Sequence, residues 1–388
     1  MEPHIEIITH HIKNTLALKR QKLLYILHDV QIGGVEVALL SALPELNRQF
    51  DLKVMVLGTV DPNMTSHLSA EEKACLVPFD YKLIMYPLVI SKMIRFILRF
   101  DPDVMIGSLW RASLLATIAK KLRPKLHFIS FIHNTAFFHR FDRLFNQAAI
   151  RYADTIFTDS RATATFVANR FKPSVPIEVI SFFTNPSPEF KTAPPFHNQD
   201  LRFMFLGRIN TVKNLPLAVD TIRYLADRGY NASLDIYGRD DGMLESVTEY
   251  IRANQLESRV RFLGEVNGSR KLEIFRDYNF LIQLSANEGM AMSVAEAMQN
   301  GLVCFVSAVG EIPNYATDMK TAIFADISTT EAFGESLKKL ESVIADPDLY
   351  DRISSNSYDG FKTVGTYSES LIRGIRGVLQ GSLAVDTH

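Results

Sequence analysis

Short, continuous apolar runs recur along the chain, each followed by a polar or glycine-containing break and then by a stretch with helical spacing. In the first half the runs are Lys22–Leu27, Leu52–Leu57, Val104–Gly107, Leu126–Ile132, Thr155–Ser160 and Ile177–Phe182. In the second half they are Leu201–Leu206, Ala232–Tyr237, Val260–Leu263, Phe280–Leu284 and Val303–Ser307. Runs without polar alternation are the pattern of parallel strands covered on both faces. Helical spacing follows at Val37–Leu43, Ser91–Phe100, after Ser160 as far as Phe171, and from Asn214 to Arg228. It follows again in the Ala/Met/Glu-rich segment closed by Asn300-Gly301, and in the amphipathic stretches Glu331–Ile344 and Tyr367–Leu379. This repeated alternation predicts an α/β protein of two doubly wound, Rossmann-like domains facing a cleft. A proline-rich stretch divides them. The expected boundaries are residues 1–185, a linker at 186–200, and 201–365, with a C-terminal helix at 366–380 packing back on the first domain.

Composition narrows the picture. With 388 residues there is room for two cores. The chain is 47% hydrophobic and 22% charged with net charge -1, which argues against nucleic acid as the main partner. The charge is uneven: residues 1–190 carry 22 Lys+Arg against 17 Asp+Glu, and the remainder 20 against 26. A basic first half suits an anionic acceptor or an anionic membrane surface, and equally an ordinary solvated surface. Two cysteines, Cys75 and Cys304, make no disulfide framework, and Cys304 within Leu302–Val306 reads as a small core residue. There is no apolar run of spanning length, and Met1–Gln21 lacks the apolar segment of a signal peptide, so a cytoplasmic setting is expected.

Candidate chemistry collects just after strands, where open α/β sheets bind ligands. Ser285-Ala-Asn-Glu288-Gly289-Met290-Ala291 follows one strand and leads into a helix that carries Glu296. If all of that span were helical, Glu288 and Glu296 would lie about 12 Å apart, at about 1.5 Å per residue. That is too far for a shared proton or metal; it suits two ends of one elongated ligand whose anionic middle lies over the helix N-terminus. Gly207-Arg208 and Lys213-Asn214 follow another strand, and two cations there could clamp a diphosphate. Gly238 and Gly310-Glu311 follow two more. In the first half, Gly33-Gly34 has the layout of an anion-binding turn, and His133-Asn134 ends a strand. Asp101-Pro-Asp103 has the form of a metal-holding DxD but precedes its strand, the end away from ligands, and reads as a turn. Lys92, Arg95 and Arg99 share a helix face, and Lys120-Lys121-Leu-Arg123-Pro-Lys125 forms a second basic cluster.

These residues carry a resemblance. Gly207-Arg208 with Lys213-Asn214, Ser285-x-x-Glu288-Gly289, and the seven-residue gap to Glu296-Ala297-Met298 resemble retaining GT-B glycosyltransferases of the GT4 (group 1) type. Gly33-Gly34-Val35-Glu36 and His133-Asn134 resemble the same family, over most of residues 22–380. The resemblance implies a nucleotide-sugar donor in the C-terminal domain and a saccharide or lipid-linked acceptor in the N-terminal domain. Arg208 and Lys213 would hold the diphosphate, Glu288 would face the donor sugar, and Glu296 would bind the ribose hydroxyls. The amides of Gly289, Met290 and Ala291 would contact sugar or phosphate, with Gly207, Gly238 and Gly310 alongside; Gly33 and Gly34 would approach from the other side, and His133 would bond the sugar. Cations supplied by the protein imply no cofactor and no metal. Lipid-linked acceptors in the family imply contact of the basic helix with an anionic membrane. Two departures stand out. The usual Gly-Gly-x-Pro-Glu is Gly310-Glu311-Ile312-Pro313-Asn314 here, and the usual Pro-Asn-Gly is replaced at Phe182–Pro186. Other readings are a sugar-nucleotide epimerase or a phosphorylase of similar shape, the latter lacking a visible cofactor site, and a catalytically lapsed nucleotide-sugar-binding protein.

Overall fold

The computed structural model describes residues 20–385 apart from 32, 82, 134, 136–138, 187, 190, 195–199, 267–269 and 271–272, so Asn134 lies outside the described residues. The chain forms two compact units, one ending at Thr184 and resumed at Tyr367, the other running from Asn185 to Thr366.

The first unit is built on seven strands: β1 (Lys22–Leu27), β2 (Asp51–Val56), β3 (Leu76–Pro78), β4 (Val104–Ser108), β5 (His127–Ile132), β6 (Thr155–Thr158) and β7 (Ile177–Val179). All pairings are parallel, in the order β3-β2-β1-β4-β5-β6-β7. Parallel neighbours need crossovers, supplied by α1 (Gly34–Gln49), α2 (Tyr86–Phe100), α3 (Trp110–Leu122), α4 (Arg140–Tyr152) and α5 (Arg161–Phe171). Helices on the faces explain the unbroken apolar runs: Leu24, Ile26, Met55, Met105, Phe128 and Ile156 are buried in one core with Ile97 and Leu115 from the helices.

The second unit repeats the plan with β8 (Asp200–Leu206), β9 (Asn231–Tyr237), β10 (Val260–Gly264), β11 (Phe280–Gln283), β12 (Val303–Ser307) and β13 (Ile323–Ala325), ordered β10-β9-β8-β11-β12-β13 and parallel throughout. Its helices are α6 (Leu215–Asp227), α7 (Leu244–Ala253), α8 (Met292–Gln299), α9 (Thr330–Ala345) and α10 (Pro347–Phe361). Each unit is thus a doubly wound α/β domain.

Three differences from the sequence reading have physical reasons. Strands β3 and β13 were not foreseen; each is a three-residue edge strand, too short to give a periodic signal. Helix α2 starts at Tyr86 rather than Ser91, with a proline in its first turn, a position where the missing N–H goes unused. The proline-rich stretch expected as a linker lies on the second unit: Thr192 and Ala193 both donate backbone N–H groups to Asn300 O, at 3.2 and 2.9 Å, and Tyr358 donates its hydroxyl to Pro188 O at 2.8 Å.

The last helix, α11 (Tyr367–Val385), rejoins the first unit and packs on α1. Tyr367 is the anchor. It is wholly buried, its N–H donates to Phe183 O at 2.7 Å, its hydroxyl lies 3.4 Å from that of Tyr25, and its ring stacks on Phe131. Burial raises its hydroxyl pKa well above the ordinary value, so the pair stays neutral. Replacing Tyr367 with Ala should destabilise the first unit by about 3 kcal/mol or more, as for other buried aromatics. Denaturant unfolding followed by circular dichroism checks this; an unchanged midpoint would show that α11 is dispensable to the fold.

Candidate functional site

The second unit places its polar residues on the C-terminal ends of β8, β9, β11 and β12. After β8 the chain makes a tight turn, Thr211–Lys213, capped by Asn210, whose Oδ1 accepts the Lys213 N–H at 3.3 Å. Asn214 at φ 52 then redirects the chain into α6. Ala286 N–H donates to Val212 O at 2.9 Å, which ties this turn to the loop after β11. These constraints bring the Lys213 ammonium to 2.6 Å from Glu288 Oε1, with the two side chains only 15% and 9% exposed.

Two more donors meet the same oxygen. Gln283 Nε2 lies 2.6 Å from Glu288 Oε1 and Ser285 Oγ 2.5 Å. Gln283 is held in turn by Ser293 Oγ, which donates to its Oε1 at 2.7 Å. Ser307 Oγ, from the end of β12, donates to Ser285 O at 2.5 Å. All three donors to Glu288 converge on Oε1, and Oε2 accepts none among the described residues. Sequence reasoning gave Gln283 and Ser293 no role. The signal was present, since Gln283 is the one polar side chain in the run Phe280–Leu284.

Glu288 lies in the loop, because α8 begins only at Met292, after Ala291 at φ 54. The all-helical spacing to Glu296 is therefore not realised. Glu296 sits inside α8, 4% exposed, on a helix whose residues Val294 to Gln299 are all buried. Gly289 O accepts the Glu311 N–H at 2.9 Å, and Tyr315 donates its hydroxyl to Ala291 O at 3.3 Å. Two glycines set the closeness of these ends. At Gly238 (φ 148) a Cβ would overlap the Gly207 carbonyl, and at Gly310 (φ 61) it would overlap the carbonyl oxygens of Glu288 and Gly289. Arg208 stands apart from Lys213: its guanidinium faces Asp241 at 3.4 Å and its side chain is 63% exposed. The two cations expected as one clamp are thus one largely covered and held by Glu288, one solvent-facing and held by Asp241.

In the first unit, His133 follows β5 and is buried. Its Nε2 lies 2.8 Å from Ser108 Oγ, its Nδ1 is 4.0 Å from Asp159 Oδ2, too far for a hydrogen bond, and Phe131 and Phe182 flank the ring. Burial lowers its pKa to about 3, so the imidazole is neutral. Gly33 caps α1, and the Glu36 carboxylate occupies the place where a Gly33 Cβ would stand, whereas Gly34 has open space. Burial, with Asp29 nearby, raises the Glu36 pKa. His28 Nε2 accepts the Arg111 N–H at 2.8 Å, and Arg111 pairs with Asp29 at 3.0 Å. His28 also falls to about 3, through burial first and then the charges of Arg111 and His139. Asp29, Arg111, Ser108 and Asp159 were not singled out from sequence, although each sits within two or three residues of a strand end. Asp101 and Asp103 do structural work: Asp101 ends α2 and pairs with Arg123, and Asp103 Oδ2 accepts the Lys22 N–H at 2.7 Å.

Residues 187–360 match the family model described as "Glycosyl transferases group 1", and residues 32–187 the model described as "Glycosyltransferase Family 4". A mannosylfructose-phosphate synthase of Agrobacterium fabrum is 28% identical over 141 residues, 34% of this chain; the matched stretch spans 31% of that relative's length. Among solved structures, HepE of Anabaena in complex with UDP is similar with a TM-score of 0.74 at 14% identity, over 92% of this chain and 100% of that one. A sucrose-phosphate synthase of Thermosynechococcus elongatus is similar with a TM-score of 0.73 at 13% identity, over 93% and 100%. These structural likenesses establish the fold.

The histidines give a pH prediction. His133 and His28 titrate near 3 when folded and near 6.5 when unfolded. The unfolded chain therefore binds the extra protons, and their share of stability is full above about 6.5 and lost as pH falls toward 3. His133→Asn should lose less thermal stability than wild type on going from about pH 7.5 to about pH 4.5, by roughly 3 °C or more. An identical fall in both proteins would refute the neutral buried imidazole.

Proposed function

The chain belongs to the group 1, family 4 glycosyltransferases of GT-B fold, and we propose that it moves a sugar from a nucleoside-diphosphate donor to a saccharide or lipid-linked acceptor, with retention of anomeric configuration. Its place would be the synthesis of a cell-surface polysaccharide, lipopolysaccharide or glycolipid. The observation that carries the reading is the convergence of Lys213, Gln283 and Ser285 on Glu288 Oε1. That arrangement fixes one carboxylate oxygen and leaves Oε2 to accept from sugar hydroxyls. The UDP and UDP-glucose complexes of Anabaena HepE support a nucleotide-sugar donor.

In this reading Lys213, with Arg208, takes up the charge that develops on the departing diphosphate; one such donor can contribute about 3 kcal/mol. A diphosphate competes with Glu288 for Lys213, while Gln283 and Ser285 keep the carboxylate in place. Glu296 binds the ribose hydroxyls. The amides of Gly289, Met290 and Ala291 contact sugar or phosphate, and Gly207, Gly238 and Gly310 let backbone come close. On the first unit, Gly33, Gly34 and the neutral His133 serve the acceptor and phosphate side. Cations from the protein make a divalent metal unnecessary. The alternatives are an epimerase of similar fold, which would release an epimer without acceptor, and a lapsed nucleotide-sugar-binding protein, which would bind without turnover.

Donor hydrolysis and transfer, measured over a panel of nucleotide sugars, test this. Glu296→Ala should weaken donor binding about ten-fold or more, and Arg208→Ala with Lys213→Ala should lower kcat about 100-fold. Turnover in EDTA should match turnover without it. Near wild-type transfer in the variants would overturn the site assignment, and loss of turnover in EDTA would overturn the metal-free step.

The membrane reading belongs to the same proposal. Among the described residues no helix is long and apolar enough to cross a membrane. Helix α2 is amphipathic; Ile84, in the turn just before it, and Leu88, in its first turn, are 83% and 74% exposed. Further along, Ile94, Leu98, Ile118 and Leu122 line a shallow apolar hollow edged by Arg95 and Arg99. Apolar side chains beside cations suit an anionic bilayer surface. Lys120 does not join them, since it turns inward to Asp154 at 2.7 Å. Flotation with phosphatidylglycerol vesicles should carry the protein upward, and Ile84→Asp with Leu88→Asp should abolish it; wild type left at the bottom of the gradient ends the membrane reading.

A further inference from the structure

The two departures from the usual Gly-Gly-x-Pro-Glu pattern touch each other. Asn314 Nδ2 donates to Glu311 Oε2 at 2.9 Å. Where the family pattern has glycine and then a carboxylate, this chain has a carboxylate and then an amide. In this chain the two residues are matched by charge. A carboxylate kept at 314 would face the Glu311 carboxylate at hydrogen-bond distance, and like charges so close repel. An amide there turns the contact into a hydrogen bond and orients Glu311.

Glu311 belongs to the sugar end of the site by its backbone. It is 6% exposed, its N–H donates to Gly289 O at 2.9 Å, and the preceding Gly310 lies against the carbonyls of Glu288 and Gly289. Tyr315, one residue beyond Asn314, feels both acids: burial first, then Cys304, Glu288 and Glu311, push its hydroxyl pKa well above the ordinary value. Burying a carboxylate where the pattern has glycine carries a desolvation cost that glycine does not. An anion that accepts several hydrogen bonds suits a ligand rich in hydroxyl donors.

We propose that Glu311, oriented by Asn314, is a second carboxylate beside Glu288 at the donor sugar, and that the pair selects an uncharged sugar and rejects uronic acids. The inference rests on the glycosyltransferase reading. Two carboxylates would accept hydrogen bonds from hydroxyls and repel a sugar that carries its own carboxylate, so attraction and repulsion both act in favour of the neutral donor.

Calorimetric titration with UDP-glucose, UDP-glucuronate, GDP-mannose and GDP-mannuronate, and with UDP and GDP alone, tests it. Wild type should bind the neutral member of its preferred pair more tightly than the uronate. In Glu311→Gln that preference should shrink about ten-fold, a change of about 1.4 kcal/mol, with affinity for the bare nucleoside diphosphate unchanged, which also verifies the fold. Asn314→Ala keeps the charge but releases the carboxylate; it should weaken the neutral donor without admitting the uronate. An unchanged preference in Glu311→Gln, or a wild-type preference for the uronate, overturns this proposal and leaves the glycosyltransferase reading standing. Should Glu311→Gln fail to bind the bare nucleotide, Glu311→Gly, the family residue, replaces it and is read by the same two outcomes. A wild-type protein that binds none of the six, nor the adenine, thymine and cytosine nucleoside diphosphates and their sugars, overturns both.

Discussion

One carboxylate oxygen, Glu288 Oε1, receives an ammonium, an amide and a hydroxyl at 2.5–2.6 Å, each from a different place on the second unit's sheet. Lys213 comes from the turn after β8, Gln283 from the end of β11 and Ser285 from the loop beyond it. A carboxylate this buried carries a large desolvation penalty unless charge and hydrogen bonds offset it. Here the offset and the placement are the same contacts. Ser307 extends the network to β12 by holding the Ser285 carbonyl. The turn after β8 and the ends of β11 and β12 are thereby joined in one hydrogen-bonded network around this anion.

The first unit meets the cost of burial differently. His28 and His133 are both driven to about 3, so the half-buried ring of His28 and the buried ring of His133 are neutral and not charged. A neutral imidazole both donates and accepts, and which nitrogen holds the proton follows from its neighbours. For His28 the answer is fixed, because Nε2 accepts the Arg111 N–H and the proton must sit on Nδ1. For His133 the partner is a hydroxyl, which can play either part. The second unit thus covers its carboxylate with charge and hydrogen bonds, and the first unit covers these two rings without charge.

Much of this was legible in the sequence because it is repetitive. Unbroken apolar runs such as Phe203–Leu206 announce a parallel sheet, and Glu288 with Glu296 announces the loop and helix after β11. What was not legible depends on direction. Arg208 and Lys213 are five residues apart, yet the αL residue Asn214 and the Asn210 cap send Lys213 inward while Arg208 meets Asp241 in solvent. Gln283 was hidden because its strand is so apolar that one amide reads as noise. The three-residue edges β3 and β13 carry too few positions for any period to show. The contact of Glu311 with Asn314 joins two residues that each looked like a separate departure, and only a one-turn helix at Ile312–Tyr315 sets them face to face.

The same glycines that let the sheet close also fix where variation can occur. Gly207 and Gly238 bring β8 and β9 to backbone contact, and Gly310 does so for the loops after β11 and β12. A side chain at Gly238 or Gly310 would have to displace main chain, so change there damages fold and site together. Glu311 is free of that constraint. Its φ is -83, outside the left-handed region, its backbone N–H keeps the bond to Gly289 whatever the side chain, and Asn314 is its hydrogen-bonded side-chain neighbour. Position 311 can therefore carry a side chain where positions 238 and 310 cannot, and the carboxylate it carries is matched by a neutral amide donor at 314.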